Sequence, residues 1–140
     1  MEKKNVKLSY QPDFDFQLLG LASRENDYKL SWAINKALNI NLSKSPDLEI
    51  KNPKFSEIQS FSVYSYFLEE REEEILLISN RCAHGYLIEE LKNIDFFLLF
   101  RGFNKIEIIN YSSEIKLLDE LFAVLNIDVE SLKSKQKFIF

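Results

Sequence analysis

The stretch that decides the fold is LIEELKNIDFF, residues 87–97, because two hydrophobic periods meet within it. The spacing of one helical face recurs in Leu87, Ile88, Leu91 and Ile94. After residue 95 the pattern becomes an unbroken apolar run over 96–100, which is typical of a strand buried on both faces. We therefore predict a short helical turn over 88–93, followed by a central strand over 94–101 that ends at Gly102.

Hydrophobic periodicity also predicts the elements that precede this stretch. Apolar and polar residues alternate over 13–18, as in a half-buried strand, and helical spacing follows over 27–38, with Asn26 or Asp27 as the N-cap. Three strands are then predicted, of which the first is a short edge strand and the other two form a hairpin: 48–50, 61–67 and 75–79.

Beyond Gly102 the spacing favours a helix over 106–119 and a strand over 123–127. Ile106 and Ile108 also alternate, so an extension of the central strand is the competing interpretation of that region. A turn or 3₁₀ segment over 128–134 and an apolar tail over 138–140 complete the chain.

This order of elements predicts an α+β fold in which an antiparallel sheet carries the two main helices on one face. The expected arrangement is a single domain over residues 1–140, a ferredoxin-like variant, with residues 1–11 frayed. Hydrophobic residues make up 46% of the chain, and it contains only three glycines and three prolines, so the composition supports a packed core rather than a linker.

Charge and cysteine content limit the compartment and the partners. The net charge of −4 disfavours a general nucleic-acid binder. Cys82 is the single cysteine, which excludes an internal disulfide and indicates a reducing compartment. The basic N-terminus is followed by no apolar stretch of signal-peptide length, and no run is long enough to span a bilayer. We therefore expect a cytoplasmic protein without a membrane partner.

Residues 87–97 resemble the signature that names the IPExxxVDY family of bacterial proteins, an uncharacterised family. The matching signature positions are Ile88, Glu90 and Asp95. The positions that depart from the family's proline, valine and tyrosine are Glu89, Ile94 and Phe96. Further stretches that are similar to the family are 27–35, 77–80 and 132–140. The resemblance implies a family and no reaction.

The two acidic signature residues, Glu90 and Asp95, are the first candidate binding residues. A pair of carboxylates can serve as acid and base when the pKa of one is raised, and can also hold a divalent cation. The structural alternative is that Glu90 caps a helix start and that Asp95 begins a strand. We assign no catalytic residue and expect no cofactor.

Cys82 and His84 are the second candidate, because cysteine and histidine can form a nucleophile–base pair. Side chains two apart on a strand are about 6–7 Å apart, which is beyond hydrogen-bond reach. A small thiol and a surface imidazole in a loop is therefore the preferred interpretation. One cysteine and one histidine also fall short of the four ligands of a tetrahedral zinc site, so we predict no metal.

Two further patterns have a structural and a binding interpretation. The acidic run 69–74 is most simply a solvated hairpin tip, and alternatively a docking patch for a basic partner. Tyr28, Trp32 and Asn35 lie about one turn apart on the first helix, and we interpret them as core with a polar rim rather than as a pocket lining.

The last candidate is the basic C-terminal segment with Lys133, Lys135 and Lys137. In an extended tail these lysines share one face and can contact phosphates, although lysines on an edge strand more often prevent unwanted pairing. The apolar end is expected to dock on its own sheet or, alternatively, to pair across a dimer interface.

These observations favour a non-enzymatic, cytoplasmic protein-binding module, with a homodimer as one form of that binding. The first alternative is an accessory factor in RNA metabolism that binds RNA or a ribonuclease through the C-terminal lysines. The resemblance supports this alternative, because genes of the family commonly lie beside those for ribonuclease III and pyruvate kinase. The second alternative is a small enzyme that uses Glu90 and Asp95.

Overall fold

The computed structural model describes residues 16–51 and 57–138. Its two α-helices are α1, Asp27–Leu38, and α2, Lys105–Ile115. The strands are β1 Gln17–Ala22, β2 Ser43–Lys51, β3 Ile58–Leu68, β4 Glu73–Ser79, β5 Arg81–Cys82, β6 Gly85–Tyr86, β7 Phe96–Arg101 and β8 Ala123–Ile127. The short 3₁₀ turns are Glu69–Arg71, Glu89–Leu91, Val129–Ser131 and Lys135–Phe138.

Six strands form one antiparallel sheet in the order β2-β3-β4-β7-β1-β8, while β5 and β6 pair as a separate small hairpin. β1, α1, β4, β7, α2 and β8 follow one another as the elements of a ferredoxin-like βαββαβ unit do. β2 and β3 are inserted between α1 and β4 and extend the sheet at the β4 edge. The predicted α+β fold is therefore confirmed.

Both helices pack on one face of the sheet, as predicted. Asn26 caps α1 with its side chain, and Asn104 and Glu107 form a reciprocal capping box at the start of α2. The apolar side chains beneath the helices form a helix-side core, whose fully buried members include Leu21, Leu30, Ile34, Ile75, Leu77, Leu98 and Ile115. Burial of this stripe explains why helical spacing recurs over 27–38.

The opposite face of the sheet is covered by the connection from β4 to β7 and by the segment after β8. Together they form a loop-side core that contains Phe61, Ile78, Leu87, Ile88, Ile94, Phe97, Leu99, Leu132 and Phe138. Because cores lie on both faces, β7 is apolar at consecutive positions and is buried from Phe96 to Phe100. The central strand predicted from 96–100 is confirmed, although β7 begins two residues later than the predicted start.

Two glycines are required by their surroundings. Gly102 has φ +89°, and a Cβ there would collide with the Glu72 carbonyl oxygen. At Gly20 a Cβ would lie 2.9 Å from Ile94 Cδ1, so the side chain from the signature stretch packs directly over the backbone of β1.

Several predicted boundaries change. The helix after Gly102 is confirmed, but it ends at Ile115 instead of residue 119, and the strand interpretation of that region is wrong. The edge strand predicted over 48–50 is longer, Ser43–Lys51. β1 begins at Gln17, ends at Ala22 instead of residue 18, and is buried over 18–21, so the prediction of a half-buried strand is wrong. The predicted part over 13–15 and the predicted frayed segment 1–11 lie outside the described residues.

Three interpretations of side chains are wrong. Tyr28 and Trp32 are 68% and 52% exposed, so they are not core residues. In the acidic run, Glu73 is buried at the start of β4 and Glu74 pairs with Arg101, so only the earlier part of the run is a solvated tip. The C-terminal lysines do not follow an extended tail, because 135–138 is a 3₁₀ turn.

The prediction that the apolar end docks on its own sheet is confirmed for Phe138, which is fully buried, while residues 139 and 140 lie outside the described part. In the part of the chain that the structure describes, neither helix has the length and apolar character needed to cross a bilayer.

Candidate functional site

A cleft of about 790 Å³ opens on the helix side of the sheet, where β1 leads into α1. Its lining combines four serines, two arginines and four carboxylates with two phenylalanines and one asparagine. These residues are Ser23, Arg24, Glu25, Asn26, Asp27, Asp47, Ser60, Ser62, Ser79, Arg81, Asp95, Phe96 and Phe122. The cleft is polar because Ser60 and Ser62 occupy the alternate β3 positions that would otherwise continue the helix-side core.

Asp95, one of the two acidic signature residues, lies in this cleft. Its Oδ1 forms an ion pair with Arg81 Nη2 at 2.6 Å, and its Oδ2 accepts a hydrogen bond from the Ser23 N–H at 2.8 Å. Both oxygens therefore tie the start of β7 to neighbouring segments. This arrangement uses Asp95 as an acceptor and as the counter-ion of Arg81.

Asp47 forms the wall of the cleft that β2 contributes. Its two oxygens accept hydrogen bonds from Lys44 Nζ at 2.7 Å and from Ser60 Oγ at 2.9 Å. These two bonds hold the pKa of Asp47 below its ordinary value, so it is a carboxylate at neutral pH. Arg24, also in the cleft lining, has an aromatic neighbour instead of a polar one. Its guanidinium carbon lies 5.2 Å from the centroid of the Phe122 ring.

Glu90, the other acidic signature residue, contacts the C-terminal segment. Its Oε2 accepts a hydrogen bond from the Lys133 N–H at 2.7 Å, and its Oε1 accepts one from Ser134 Oγ at 3.2 Å. Partial desolvation acts to raise the pKa of Glu90, but these hydrogen bonds outweigh it and the pKa lies below its ordinary value. Glu90 therefore bonds a backbone donor 43 residues away in sequence.

The structure brings the C-terminal lysines and the signature stretch together. Lys133 meets Glu90 through its backbone, and Lys137 Nζ donates a hydrogen bond to the Leu87 carbonyl at 2.7 Å. Lys135, between these two lysines in sequence, is the first residue of the 3₁₀ turn Lys135–Phe138. Lys137 thus contacts a backbone carbonyl of the same chain. Asp95, the other acidic signature residue, contacts Arg81 and Ser23 instead.

Asn80 organises the connection that carries the signature. It is fully buried, and its side chain bonds three backbone groups: it donates to the carbonyls of Leu91 and Ile94 and accepts from the Ile88 N–H. The predictions from sequence passed over this residue as part of a turn. The signal was a single asparagine between an apolar strand and the turn RCAHG, a pattern too common to identify a buried amide.

The outer face of α1 adjoins the cleft, which reaches its first residue, Asp27. Tyr28, Trp32 and Lys36 follow one another at four-residue intervals along this face, and we call them the α1 surface. Lys36 Nζ lies 4.4 Å from the centroid of the Trp32 ring, within the range of a cation–π contact. The sequence contained the signal, because positions 28, 32 and 36 lie opposite the buried Leu30 and Ile34.

In the Cys82–His84 candidate the imidazole ring pairs with a glutamate and not with the thiol. His84 Nε2 pairs with Glu57 Oε2 at 2.6 Å, and the His84 backbone N–H donates to the Cys82 sulfur at 3.4 Å. The buried Gln59 side chain donates to the His84 carbonyl at 2.9 Å. Within residues 16–51 and 57–138, no group of three or more histidine, cysteine, aspartate or glutamate side chains is placed to hold a metal ion.

Comparison of the chain with models of protein families and with curated proteins finds no match in either set. The resemblance of residues 87–97 to the IPExxxVDY signature therefore stays a prediction.

Proposed function

We propose that this protein is a non-enzymatic protein-binding module that recognises an acidic, apolar segment of a partner protein on the α1 surface. The observation that carries the proposal is the exposure of Trp32 and Tyr28, one turn apart on the same face of one helix. Tryptophan and tyrosine are the residues that most often dominate the binding energy of protein interfaces. Both side chains have large apolar areas that a partner would remove from water.

Charge supports an acidic partner. The chain has a net charge of −4, yet Lys36 projects over Trp32 and forms no ion pair among the described residues. Arg24, in the lining of the adjoining cleft, contacts the exposed Phe122 instead of a carboxylate. A carboxylate on the partner would meet these cations, and complementary charge of this kind speeds encounter and selects partners.

The cleft extends the proposed site past the N-terminal end of α1. Carboxylates outnumber arginines in the cleft by four to two, so the part of the segment that continues into it carries hydrogen-bond donors and no further acidic groups, and it meets acceptors such as the Ser62 hydroxyl and the Asp27 carboxylate. Asp95 and Arg81 are paired with each other, so they form a fixed floor and not a reactive pair. This is the anatomy of a recognition surface with an apolar anchor and a polar continuation.

The test begins with native capture of the tagged protein from its own cells, followed by identification and purification of the captured proteins. Affinity for each is then measured for the wild type, for Trp32→Ala and for Phe67→Ala. Phe67 is the matched control, because its ring is 58% exposed on β3. We expect Kd to rise at least tenfold, about 1.4 kcal/mol, for Trp32→Ala and to change little for Phe67→Ala. The affinity should also fall with added salt.

Three outcomes would overturn the proposal. One is a partner whose affinity is insensitive to Trp32→Ala, and another is an equal loss for Trp32→Ala and Phe67→Ala. The third is the capture of RNA, seen as an excess of absorbance at nucleic-acid wavelengths, that is lost on Lys133→Glu and kept on Trp32→Ala. That third result would establish the RNA alternative in place of protein binding.

A further inference from the structure

The exposed apolar side chains are concentrated in one part of the chain. Among the described residues nine large apolar side chains are exposed, and five of these lie on α2, on β8 or on the connection between them. The five are Ile106, Ile109, Leu117, Phe122 and Leu125. Phe122 also lines the cleft, whereas the other four lie outside both the cleft lining and the α1 surface, so their exposed apolar area calls for a separate explanation.

The two edges of the sheet differ in how they resist pairing. At one edge β2 carries Lys44, Pro46 and Lys51, and its register with β3 is broken between Ser45 and Leu48. Lysine, proline and irregular register are the usual protections of an edge strand. At the other edge β8 reads AVLNI, with neither a charge nor a proline. Within residues 16–51 and 57–138, β8 pairs only with β1.

The hydrogen bonds of β1 with its two neighbouring strands determine which backbone groups of β8 point away from β1. The Leu21 carbonyl accepts from the Asp95 N–H on the β7 side, so odd-numbered residues of β1 direct their backbone groups to β7 and even-numbered residues direct theirs to β8. Gly20 is even-numbered and pairs with Leu125. Leu125 therefore bonds inward to β1, while the N–H and C=O groups of Val124 and Asn126 point outward from the sheet.

We propose that a second copy of this chain adds its β8 antiparallel to this edge, so that the two six-stranded sheets become one continuous sheet. The two-fold axis passes between the two Leu125 residues. Val124 of each copy then lies opposite Asn126 of the other and exchanges both N–H···O bonds with it. This register is self-complementary, as a closed dimer requires.

The side chains on the helix side of β8 suit the same register. A hollow of about 390 Å³ lies between α2 and the edge, lined by Ile109, Asn126 and, at its two ends, Lys105 and Lys116. An antiparallel second strand directs its own Val124 toward this hollow. In this register Asp128 of the second copy lies beside Phe122, at the start of β8. The C-terminal end of α2, which Lys116 follows, lies at the same end of the strand. Opposite charges and apolar surfaces therefore meet in the same arrangement.

Mass measurement by light scattering on size-exclusion chromatography tests the proposal over a wide range of protein concentration. We expect the full chain to elute with twice its monomer mass of 16.5 kDa. Asn126→Pro removes an outward N–H and leaves the β1 ladder intact, so it should give a folded monomer. Phe67→Lys, which places a charge at an exposed position on β3, should remain a dimer. Circular dichroism confirms that each variant is folded.

A cysteine cross-link tests the register without relying on a disruptive variant. In a Cys82→Ser background, Leu125→Cys places one thiol opposite its own copy, with a spacing of about 4.5–5.5 Å between Cβ atoms. Mild oxidation should then give a covalent dimer. Val124→Cys is the matched control, because it lies opposite Asn126 and should cross-link far less. A wild type that is monomeric at every concentration would overturn the proposal, and so would equal cross-linking at both positions.

Discussion

The Ile88 N–H donates a hydrogen bond of 2.8 Å to the side-chain oxygen of Asn80, and both residues are fully buried. The Asn80 amide nitrogen donates to the carbonyls of Leu91 and Ile94 as well, so one side chain satisfies three backbone groups. The Asn80 backbone is also bonded at both ends, to Asp95 and Leu87. Residues 88–94 contain only the 3₁₀ turn Glu89–Leu91, so this amide supplies hydrogen-bond partners for the backbone groups at both ends of that turn.

Asn80→Leu is therefore expected to destabilise the protein strongly. The substitution nearly preserves volume but leaves the buried Ile88 N–H and the Ile94 carbonyl without their partner, while the Leu91 carbonyl keeps only its bond from the Ile94 N–H. Each buried group left without a partner costs about 1–3 kcal/mol. We expect a loss of at least about 3 kcal/mol in the free energy of unfolding, measured by urea denaturation. The exposed Asn93→Leu is the matched control and should change stability by less than about 0.5 kcal/mol. Equal effects of the two variants would contradict the role assigned to Asn80.

Glu90 gives a prediction with a defined dependence on pH. Its pKa in the folded protein is lowered, so its contribution to stability is present above the unfolded value near 4.5 and is lost as the pH falls through the folded pKa. At neutral pH we expect Glu90→Gln to be less stable than the wild type by about 0.5–1 kcal/mol, because Glu90 is exposed and its bonds are partly screened. Urea midpoints measured across the acid range should converge.

Glu89→Gln is the control for this series, because Glu89 is the adjacent exposed carboxylate. Its stability should follow the wild type at every pH. A difference between Glu90→Gln and wild type that persists below the folded pKa would show that the bonds to Lys133 and Ser134 do not depend on the charge.

The parts of the fold that could be predicted from sequence are those fixed by local physics. The helix over 27–38 has both an apolar stripe and flanking asparagines, and Asn26 and Asn39 cap it as side-chain and left-handed caps. The central strand was identifiable because an unbroken apolar run requires cover on both faces. The antiparallel sheet followed from the order of these elements.

Contacts between distant segments explain what the sequence could not reveal. Glu90 finds its donors 43 and 44 residues away, and Asp95 accepts from Ser23 across 72 residues. No spacing rule relates residues so far apart, so their hydrogen-bond partners emerge only in the folded chain. The prediction that Trp32 belongs to the core is wrong for another reason. It rests on the apolar character of the aromatic ring, whereas the position of Trp32 on the helix places it opposite the core.

Phe138 tests whether the C-terminal segment is part of the core. Its ring is fully buried and makes edge contacts with Phe97 and Phe16, at centroid distances of 5.2 and 6.0 Å. Phe138→Ala should cost about 3 kcal/mol of stability, since it removes a buried ring and leaves a cavity. Phe67→Ala, at an exposed ring, should cost less than about 0.5 kcal/mol in the same denaturation experiment. A small effect at Phe138 would mean that the segment frays without consequence.

Trp32 reports directly on the proposed binding surface, because it is the single tryptophan of the chain. Its half-exposed ring should be quenched by iodide, and Lys36, 4.4 Å from the ring centroid, should attract the anion. We therefore expect a larger iodide quenching constant for the wild type than for Lys36→Gln, with the caesium constant changing in the opposite direction. Lys29→Gln, whose lysine pairs with Glu25, should keep the wild-type constants. If iodide failed to quench, Trp32 would be buried and the α1 surface would lose its anchor.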